Sequence, residues 1–357
     1  MSASQRTRLA VIFGGASVEH AVSVRSARAV IHAAESDAYE VVPIGVTRDG
    51  VWMRPTETEA LLLAIEGGAP AEVVGAEGHG VLARPQALEA LTQVDVVFPL
   101  VHGRGGEDGA LQGLLELADL PYVGAGVAAS AIGMDKDLLK TLLARTGIAT
   151  VPYRLVTHDA WQEDPAGLTR AIAELEYPVF AKPANGGSSV GIVKVHSREQ
   201  LAEGIEEALR YDRKVLVEHG IEGREIECAV LGNARPEASP LGEIRYHGEF
   251  YNYAAKYEDP DVELVAPADL PDKVSDEIRA MARAAFQAID CAGMARVDFF
   301  VEANGAIWLN EINTIPGFTD VSMFPRLWEE AGVPFPALIQ RLVTLAFDRH
   351  EERSRVA

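Results

Sequence analysis

Four polar residues in the last quarter of the chain have the types and spacing of a metal site. They lie in the segment "ARVDFFVEANGAIWLNEIN", as Arg296, Asp298, Glu311 and Asn313. Two runs of alternating apolar residues flank Asn304-Gly305, a dipeptide typical of a two-residue hairpin turn. We therefore expect the two runs to form a pair of antiparallel strands.

Counting outward from that turn predicts which side chains lie opposite each other. In that count Asp298 opposes Glu311. Two positions further along the strands, Arg296 opposes Asn313. Side chains alternate between the two faces of a strand, so all four should share one face. Directly opposed carboxylates, with Cβ atoms about 5 Å apart, repel each other unless a cation lies between them.

The shared face of this hairpin carries the ligand atoms that hard divalent cations prefer. Carboxylate and amide oxygens suit Mg²⁺ or Mn²⁺ better than zinc. The hairpin thus predicts a magnesium or manganese site formed by Asp298, Glu311 and Asn313. The alternative is an exposed polar face on which Arg296 forms salt bridges with both carboxylates.

A second candidate site is the glycine-serine turn "ANGGSS", residues 184–189. The apolar segments "YPVFAKPA" and "VGIVKV" flank it, so the sequence predicts a strand, a turn and a second strand. Successive backbone N–H groups and two hydroxyls in such a turn can bind phosphate, and Lys182 precedes it. No G-x-x-x-x-G-K-[ST] motif occurs, which excludes a P-loop. The alternative is an ordinary hairpin with surface lysines.

The N-terminal part of the chain alternates predicted strands and helices. "RLAVIFGG" is a continuous apolar run, typical of a buried parallel strand, and "SVEHAVSVRSARAVIHAAE" has helical spacing. Further strands at "YEVVPIGVTRDGVWM" and "VDVVFPLVHG" are followed by a helix at "DGALQGLLELAD". This order predicts a doubly wound parallel sheet over about the first 124 residues.

The remainder predicts two smaller units in which strands and helices also mix. "MDKDLLKTLLARTG" should be a helix with Asp135 as its N-cap, which puts Lys136 in the first turn. A helix at "REQLAEGIEEALR" and strands up to "KVLVEHG" form the central unit. "REIECAVLGN", a helix near Lys273 to Ala288, the hairpin and a final helix at "PFPALIQRLVTLAFDR" form the last.

Composition limits the partners that the protein can have. The net charge is −21, from 53 acidic and 32 basic residues, and this charge repels nucleic acid and anionic membrane surfaces. No apolar run is long enough to span a membrane, and the N-terminus is not a signal peptide. Cys228 and Cys291 have no metal-type spacing, so we expect reduced, buried thiols in a cytoplasmic protein.

Six motifs resemble those of the D-alanine–D-alanine ligases, a family of the ATP-grasp superfamily. They occur in the family's order over nearly the whole chain: "GGASVEHAVS" (14–23), "HGRGGEDGALQG" (102–113), "AKPANGGSSVG" (181–191), "FYNYAAKY" (250–257), "ARVDFF" (295–300) and "NEINTIPGFTDVSMFP" (310–325). "HGRGGEDG" and "EINTIPGFT" are the most specific of these.

The resemblance implies a three-part architecture and a reaction. An N-terminal α/β substrate-binding domain covers residues 1–124, a small ATP-grasp subdomain residues 125–217, and a C-terminal ATP-grasp subdomain residues 218–357, with ATP between the last two. ATP phosphorylates one D-alanine, the amine of a second attacks the acyl phosphate, and D-alanyl-D-alanine, ADP and phosphate result. Such a dipeptide serves peptidoglycan synthesis.

The resemblance also assigns residues to the amino-acid substrates. Glu19 matches the residue that binds the ammonium of the first D-alanine, and His102 lies near that substrate. Arg296 and Gly317 match groups that stabilise the acyl phosphate and the tetrahedral oxyanion. Ser188 and Tyr257 match residues that hold Glu19 and close the site. Ser322 and Met323 match the binding position for the second substrate's carboxylate. Without the resemblance, the sequence favours Glu19 as a carboxylate in the first turn of a helix, whereas His102 is equally a capping or core histidine.

For the nucleotide, the resemblance implies contacts from the last two parts of the chain. Lys136 and Lys182 match phosphate-contacting lysines, and Lys256 lies on the closing loop. Glu218, Ile221 and Glu225 match adenine and ribose contacts, and Phe250 is placed to pack on the base. Ser188 and Asn310 also match nucleotide-binding positions. The metal ligands are Asp298, Glu311 and Asn313, which would hold two Mg²⁺ (or Mn²⁺) ions. A homodimer is also implied.

The chain departs from the family at three positions. Asn252 and Ala255 stand where acidic residues are frequent, which bears on closure of the 250–257 loop. His219 stands where lysine is common, which bears on a nucleotide contact. Lys256-Tyr257 is retained, and this favours the dipeptide over D-alanyl-D-lactate. D-lactate or D-serine as second substrate and a non-catalytic nucleotide-binding regulator are the alternatives.

Overall fold

The computed structural model describes residues 6–34, 38–74, 78–246, 261–319 and 321–356. Phe250, Asn252, Ala255, Lys256 and Tyr257 lie outside the described residues. The described part of the chain forms one parallel sheet and two antiparallel sheets.

The parallel sheet lies in the N-terminal part. Its strands are β1 (Thr7–Gly14), β2 (Tyr39–Val46) and β3 (Val96–Pro99), in the order β2-β1-β3. Its helices are α1 (His20–Ala34), α2 (Pro55–Glu66) and α3 (Ala110–Leu117), with 3₁₀ segments at Val81–Ala83 and Pro85–Gln93. Leu9 and Phe13 pack with Val24 of α1 on one face, and Ile12 packs with Leu115 of α3 on the other. Burial on both faces explains the continuous apolar run of β1 and confirms the predicted doubly wound sheet.

The central sheet has four antiparallel strands. They are β4 (Tyr153–Thr157), β5 (Val179–Pro183), β6 (Val193–Val195) and β7 (Lys214–His219), in the order β4-β7-β5-β6. The helices of this part are α4 (Val127–Met134), α5 (Lys136–Leu143), α6 (His158–Glu163), α7 (Pro165–Ile172) and α8 (Leu201–Ala208), with a 3₁₀ turn at Arg198–Gln200. The Asp135 carboxylate accepts hydrogen bonds from the N–H groups of Asp137 and Leu138 (3.1 and 3.2 Å). The predicted N-cap is confirmed, and it holds Lys136 at the start of α5.

The third sheet has five antiparallel strands. They are β8 (Gly223–Gly232), β9 (Glu237–Arg245), β10 (Glu263–Val265), β11 (Gly293–Glu302) and β12 (Ile307–Asn313), in the order β10-β9-β8-β11-β12. Its helices are α9 (Asp272–Ala288), α10 (Met323–Glu330) and α11 (Phe335–Val356). Phe286 of α9 covers one face. On the other face, α10 and α11 share a core with the parallel sheet, where the rings of Phe98 and Phe318 lie 5.4 Å apart.

The β11–β12 hairpin pairs as predicted near the site but not at its tip. Asp298 lies opposite Glu311, and Arg296 opposite Asn313. Nearer the tip, Val301 pairs with Ile307 and Phe299 with Leu309, so the turn has three residues rather than two. The predicted two-residue turn is therefore wrong. A β-bulge at Asn310 absorbs the extra residue and restores the predicted register at the carboxylates.

Both cysteines are buried free thiols, as expected. Burial raises the pKa of each thiol to about 12, which keeps them unreactive. Among the helices of the described residues, none is both long enough and apolar enough to cross a membrane.

Candidate active site

Two adjoining cavities lie between the three sheets. The larger, of about 770 Å³, lies between the parallel sheet and the five-stranded sheet, and the smaller, of about 130 Å³, lies between the two antiparallel sheets. Several residues line both: Lys136, Gly186, Gly187, Ser188, Glu227, Arg296 and Glu311. The two spaces therefore meet at the glycine loop and the hairpin.

The predicted site residues divide between these cavities. Those assigned to the amino acids line the larger one: Glu19, His102, Ser188, Arg296, Gly317, Ser322 and Met323. Those assigned to the nucleotide line the smaller one: Lys136, Lys182, Ser188, Glu218, Ile221, Glu225 and Asn310. Of the predicted metal ligands, Asp298 lines the smaller cavity, Asn313 the larger, and Glu311 both.

Asp298 and Glu311 each have a cationic partner. Arg296 donates two hydrogen bonds to Asp298 (Nε to Oδ1 2.8 Å, Nη2 to Oδ2 2.7 Å), and its Nε lies 3.0 Å from Oε1 of Glu227. Burial alone would lower the pKa of Arg296, but Asp298 and Glu227 raise it well above its usual value. Glu311 pairs with Lys136 (3.3 Å). The salt bridge from Arg296 that the alternative expected is present at Asp298, although both side chains are largely buried (16% and 13% exposed).

The oxygens on this face suit a hard divalent cation. Asp298 and Glu311 oppose each other across the strands, and the bulge turns Asn310 towards the same cavity as Glu311. The side-chain oxygen of Asn313 accepts a hydrogen bond from Ile315 N–H (3.1 Å), which fixes its orientation. No group of three His, Cys, Asp or Glu residues in the described ranges is arranged to hold a metal ion. The candidate ligands on this face are two carboxylates and the amide of Asn313.

Lys136 links the glycine loop to the hairpin. Its Nζ donates a hydrogen bond to the carbonyl oxygen of Gly186 (2.7 Å), in addition to its ion pair with Glu311. Ser188 and Ser189 have φ values of 51° and 58°, a conformation that non-glycine residues seldom adopt and that clusters at functional sites. A Cβ added to Gly187 would lie 3.3 Å from Oε2 of Glu19. Glycine therefore lets this loop approach the Glu19 carboxylate.

The smaller cavity contains a buried ion cluster. Glu218, 1% exposed, lies 3.0 Å from Nζ of Lys140 and 2.6 Å from Nζ of Lys182. Burial would raise the pKa of Glu218, but the two lysines lower it to about 2. Glu225 accepts a hydrogen bond from the Tyr246 hydroxyl (2.8 Å). On the cavity wall, Glu218 is thus an ionised acceptor and Glu225 is a hydrogen-bonded one.

At the larger cavity, Glu19 directly precedes α1, and His102 follows β3. The His102 side chain is buried, and its Nδ1 lies 3.0 Å from the carbonyl oxygen of Ile315. A carbonyl only accepts, so Nδ1 carries the proton. Burial lowers the pKa of His102, which keeps the ring neutral and Nε2 unprotonated. Within the described residues Nε2 has no hydrogen-bond partner, so it is available as an acceptor.

The loop before α10 holds Gly317 and Ser322 close together. A Cβ on Gly317 would lie 3.0 Å from Oγ of Ser322. Ser322 accepts a hydrogen bond from the N–H of Thr319 (3.1 Å). The side chain of Met323 is buried and packs against Gly242. Only the backbone N–H of Met323, at the start of α10, is therefore suited to contact a carboxylate.

Comparison with known proteins agrees with this geometry. The family model described as D-ala D-ala ligase N-terminus matches residues 8–125, and the one described as D-ala D-ala ligase C-terminus matches residues 142–344. The chain belongs to the D-alanine–D-alanine ligase family. This confirms the resemblance inferred from the motifs, and members of the family use ATP.

Similar ligases match over nearly their whole length. The D-alanine–D-alanine ligase of Geobacillus thermodenitrificans is 46% identical over 358 residues, 98% of each chain. D-alanine–D-alanine ligase A of Chromobacterium violaceum is 46% identical over 96% of each chain.

Two solved structures confirm the ATP-grasp fold that the motifs predicted. The D-alanine–D-alanine ligase of Coxiella burnetii has a TM-score of 0.81 at 36% identity, over 99% of this chain and 97% of its own. The VanG D-Ala:D-Ser ligase of Enterococcus faecalis has a TM-score of 0.80 at 34% identity, over 96% and 100%.

Three residues of this ligase site were missed by the sequence analysis. Lys140 lies four residues after Lys136 and therefore on the same face of α5. That spacing is visible in the sequence and could have indicated Lys140. Glu227 pairs with Asp298 across β8 and β11, which only the strand register reveals. Glu107 is buried on the wall of the larger cavity. Burial and nearby Glu19 raise its pKa to about 8.

Proposed function

We propose that the protein joins two D-alanine molecules to D-alanyl-D-alanine, with ATP converted to ADP and phosphate. The observation that carries the proposal is that the two cavities meet, at a place lined by the glycine loop, Lys136, Arg296 and Glu311. A phosphoryl group bound in the smaller cavity can therefore reach a carboxylate bound in the larger one. Family membership identifies ATP as the phosphoryl donor.

In the first step, a carboxylate oxygen of the first D-alanine attacks the γ-phosphorus of ATP. The bond between the β–γ bridging oxygen and the γ-phosphorus breaks, which yields D-alanyl phosphate and ADP. Lys136 and Lys182 supply positive charge to the phosphates, and Glu19 holds the substrate ammonium beside Gly187. Positioning and charge stabilisation account for most of the catalysis in such transfers.

In the second step, the amine of the other D-alanine attacks the carbonyl carbon. The C–N bond forms, the carbonyl electrons move to oxygen, and collapse of the tetrahedral intermediate expels phosphate. The nitrogen loses one proton before the attack and one after it. Arg296 and the N–H of Gly317 stabilise the oxyanion. Ser322 and the N–H of Met323 bind the carboxylate of this second substrate.

The oxygen donors of Asp298, Glu311 and Asn313 would hold Mg²⁺ (or Mn²⁺), two ions as the resemblance implies. A bound ion would screen the phosphate oxygens that these carboxylates otherwise repel. Around it, Lys136 and Arg296 orient the carboxylates through the ion pairs described above. The three-domain division, a homodimer and a cytoplasmic location stay predictions.

A paired-substrate assay tests the proposal. Mg-ATP is supplied with D-alanine, D-serine or D-lactate, singly and in pairs, while phosphate release and product mass are measured. We expect D-alanine alone to give the dipeptide, with one phosphate released for each dipeptide formed. No turnover with D-alanine would refute the proposal. D-serine as second substrate is the other candidate, favoured by the similarity to a D-Ala:D-Ser ligase, and a mixed D-Ala-D-Ser product would identify it.

A further inference from the structure

Three segments that are distant in the sequence meet at the base of the glycine loop, Ala184 and Asn185. The other two segments are the start of α5 and the start of β7. The N–H of Lys136 donates to the carbonyl oxygen of Ala184 (3.0 Å), and the N–H of Ala184 donates to the carbonyl oxygen of Lys214 (3.0 Å). The base of the loop is therefore tied to the helix that carries Lys136.

Lys214 is the buried cation at this junction. Its side chain is 10% exposed, and its Nζ lies 2.5 Å from Oδ2 of Asp135 and 3.4 Å from Oδ2 of Asp137. Asp135 is the N-cap of α5, and its other oxygen, Oδ1, accepts the two hydrogen bonds of that cap. Asp137 also accepts a hydrogen bond from the hydroxyl of Tyr153 (2.9 Å). Lys214 thus binds the start of α5 through two carboxylates.

Asn185 extends the same network into the glycine loop. Its Nδ2 donates to Oδ2 of Asp212 (2.9 Å) and to Oδ2 of Asp135 (3.4 Å), the oxygen that Lys214 also binds. Its backbone N–H donates to Oδ2 of Asp212 as well (2.8 Å). Asp212 in turn accepts a hydrogen bond from the backbone N–H of Lys214 (3.4 Å). One lysine and two aspartates therefore hold the base of the loop.

This hold reaches the phosphate-binding groups through Gly186. Gly186 directly follows Asn185, and its carbonyl oxygen accepts a hydrogen bond from Nζ of Lys136 (2.7 Å). Lys136 and Gly186 line both cavities, at the place where the cavities meet. A shift of Asp135 at the helix, or of Asn185 at the loop, would therefore move these groups relative to each other.

Resting on the proposed function, we propose that Lys214 is a positioning residue for the phosphates of ATP. It neutralises Asp135 and Asp137, and so it holds the start of α5 and the base of the glycine loop in one arrangement. The ammonium of Lys136 and the loop backbone after Asn185 are then in place before the nucleotide binds, which lowers the cost of binding. Lys214 itself lines neither cavity.

The substitution Lys214→Met tests this role, with Arg213→Met as the matched control. Methionine keeps most of the aliphatic chain and removes the charge. Arg213 is the preceding residue and is exposed, so its substitution removes a neighbouring cation and leaves the junction intact. The Kd values of ATP and of adenosine are measured by calorimetry, and the melting temperature is measured for each protein.

We expect Lys214→Met to raise the Kd of ATP about tenfold, because residues that orient ligand-binding groups contribute on this scale. The Kd of adenosine should stay within about twofold, since Glu218 lies about 13 Å further along β7. Arg213→Met should change neither Kd by more than about twofold.

The variant Asp135→Asn and its combination with Lys214→Met separate positioning from charge. Asparagine serves as an N-cap about as well as aspartate, so Asp135→Asn removes the ion pair and keeps the cap. The double variant has the net charge of the unsubstituted protein and avoids an unpaired carboxylate at Asp135. We expect it to fold and to bind ATP as weakly as Lys214→Met does.

Four results would overturn the positioning role. One is a Kd of ATP for Lys214→Met, or for the double variant where the single one does not fold, within about twofold of the unsubstituted protein. Another is an equal rise in the Kd values of ATP and adenosine, which indicates a merely structural residue. The others are an equal effect of Arg213→Met and a recovery of ATP affinity in the double variant, which would assign the effect to charge alone. A lack of dipeptide from the unsubstituted protein would instead refute the proposed function, whatever these ATP affinities are.

Discussion

Replacing Lys140 with methionine removes one of the two cations bound to Glu218 beside the smaller cavity. The side chains of Lys140 and Glu218 are each 1% exposed, and Lys182 is 11% exposed. Methionine retains most of the lysine's aliphatic bulk without its charge. The substitution therefore leaves Glu218 buried with only Lys182 as its partner.

The pKa of Glu218 gives the size of the effect. Burial would raise that pKa, yet the two lysines lower it from 4.5 to about 2. At about 1.4 kcal/mol per pH unit, this fall corresponds to roughly 3 kcal/mol of stabilisation. The pKa is lowered, so this stability is present above pH 4.5 and is lost as the pH falls towards 2.

Two lysines share that stabilisation, and burial lowers the pKa of Lys140 itself, which offsets part of its contribution. The loss of Lys140 therefore forfeits about 1–2 kcal/mol. The hydrogen bond from Lys140 Nζ to the carbonyl oxygen of Val151 (3.2 Å) is lost as well, at about 1 kcal/mol. We expect the free energy of unfolding at neutral pH to fall by roughly 2–3 kcal/mol. This is less than the usual cost of breaking a buried pair, because Lys182 remains.

Urea unfolding of the single and double variants is the assay. Lys140→Met with Glu218→Gln removes both buried charges, and we expect its stability to return to within about 1 kcal/mol of the unsubstituted protein. A single variant as stable as the unsubstituted protein would refute the reasoning. So would a double variant that loses the sum of the two single effects.

Three further results are expected. Glu311→Gln should lower turnover at least about a hundredfold at an unchanged melting temperature, because it removes a predicted metal ligand; activity near that of the unsubstituted protein would remove the metal assignment. The pKa of Glu107 is raised to about 8, so its contribution to stability is complete below about pH 4.5 and is lost as the pH rises through 8. The melting temperature of Glu107→Gln should therefore increase relative to the unsubstituted protein between pH 5 and 9, and parallel pH profiles would contradict this. Deleting Asn310 removes the bulge and leaves Asp298 opposite Glu311, so the circular dichroism spectrum should persist while ATP affinity, measured calorimetrically, falls; unchanged affinity would exclude Asn310 from the nucleotide site.

The hairpin illustrates what local patterns can and cannot predict. The pairing of Asp298 with Glu311 followed from counting residues, and it is confirmed. The predicted two-residue turn was wrong, although the spacing of the apolar residues on β12 indicated the extra residue. Core residues on β12 are Ile307, Leu309 and Ile312, and a spacing of two followed by three cannot stay on one face without an extra residue.

The parallel sheet could be predicted because burial on both faces leaves a continuous apolar run, as in β1. The contacts of Lys140 with Glu218 and of His102 with Ile315 could not. Each joins elements far apart in the chain, and neither periodicity nor turn signals carry that information. Only the packing of the three sheets brings these side chains together.

The bulge at Asn310 also makes the site tolerant of strand slippage. A two-residue turn without a bulge would bring Asp298 opposite the same Glu311, because the extra turn residue and the extra strand residue cancel. The two arrangements differ only in the outer half of the hairpin, where Ile307 and Leu309 would exchange the core for the cavity. A pairing error at the tip would therefore cost buried apolar surface and spare the carboxylates. An error in the turn of this hairpin would thus leave its two carboxylates opposite each other.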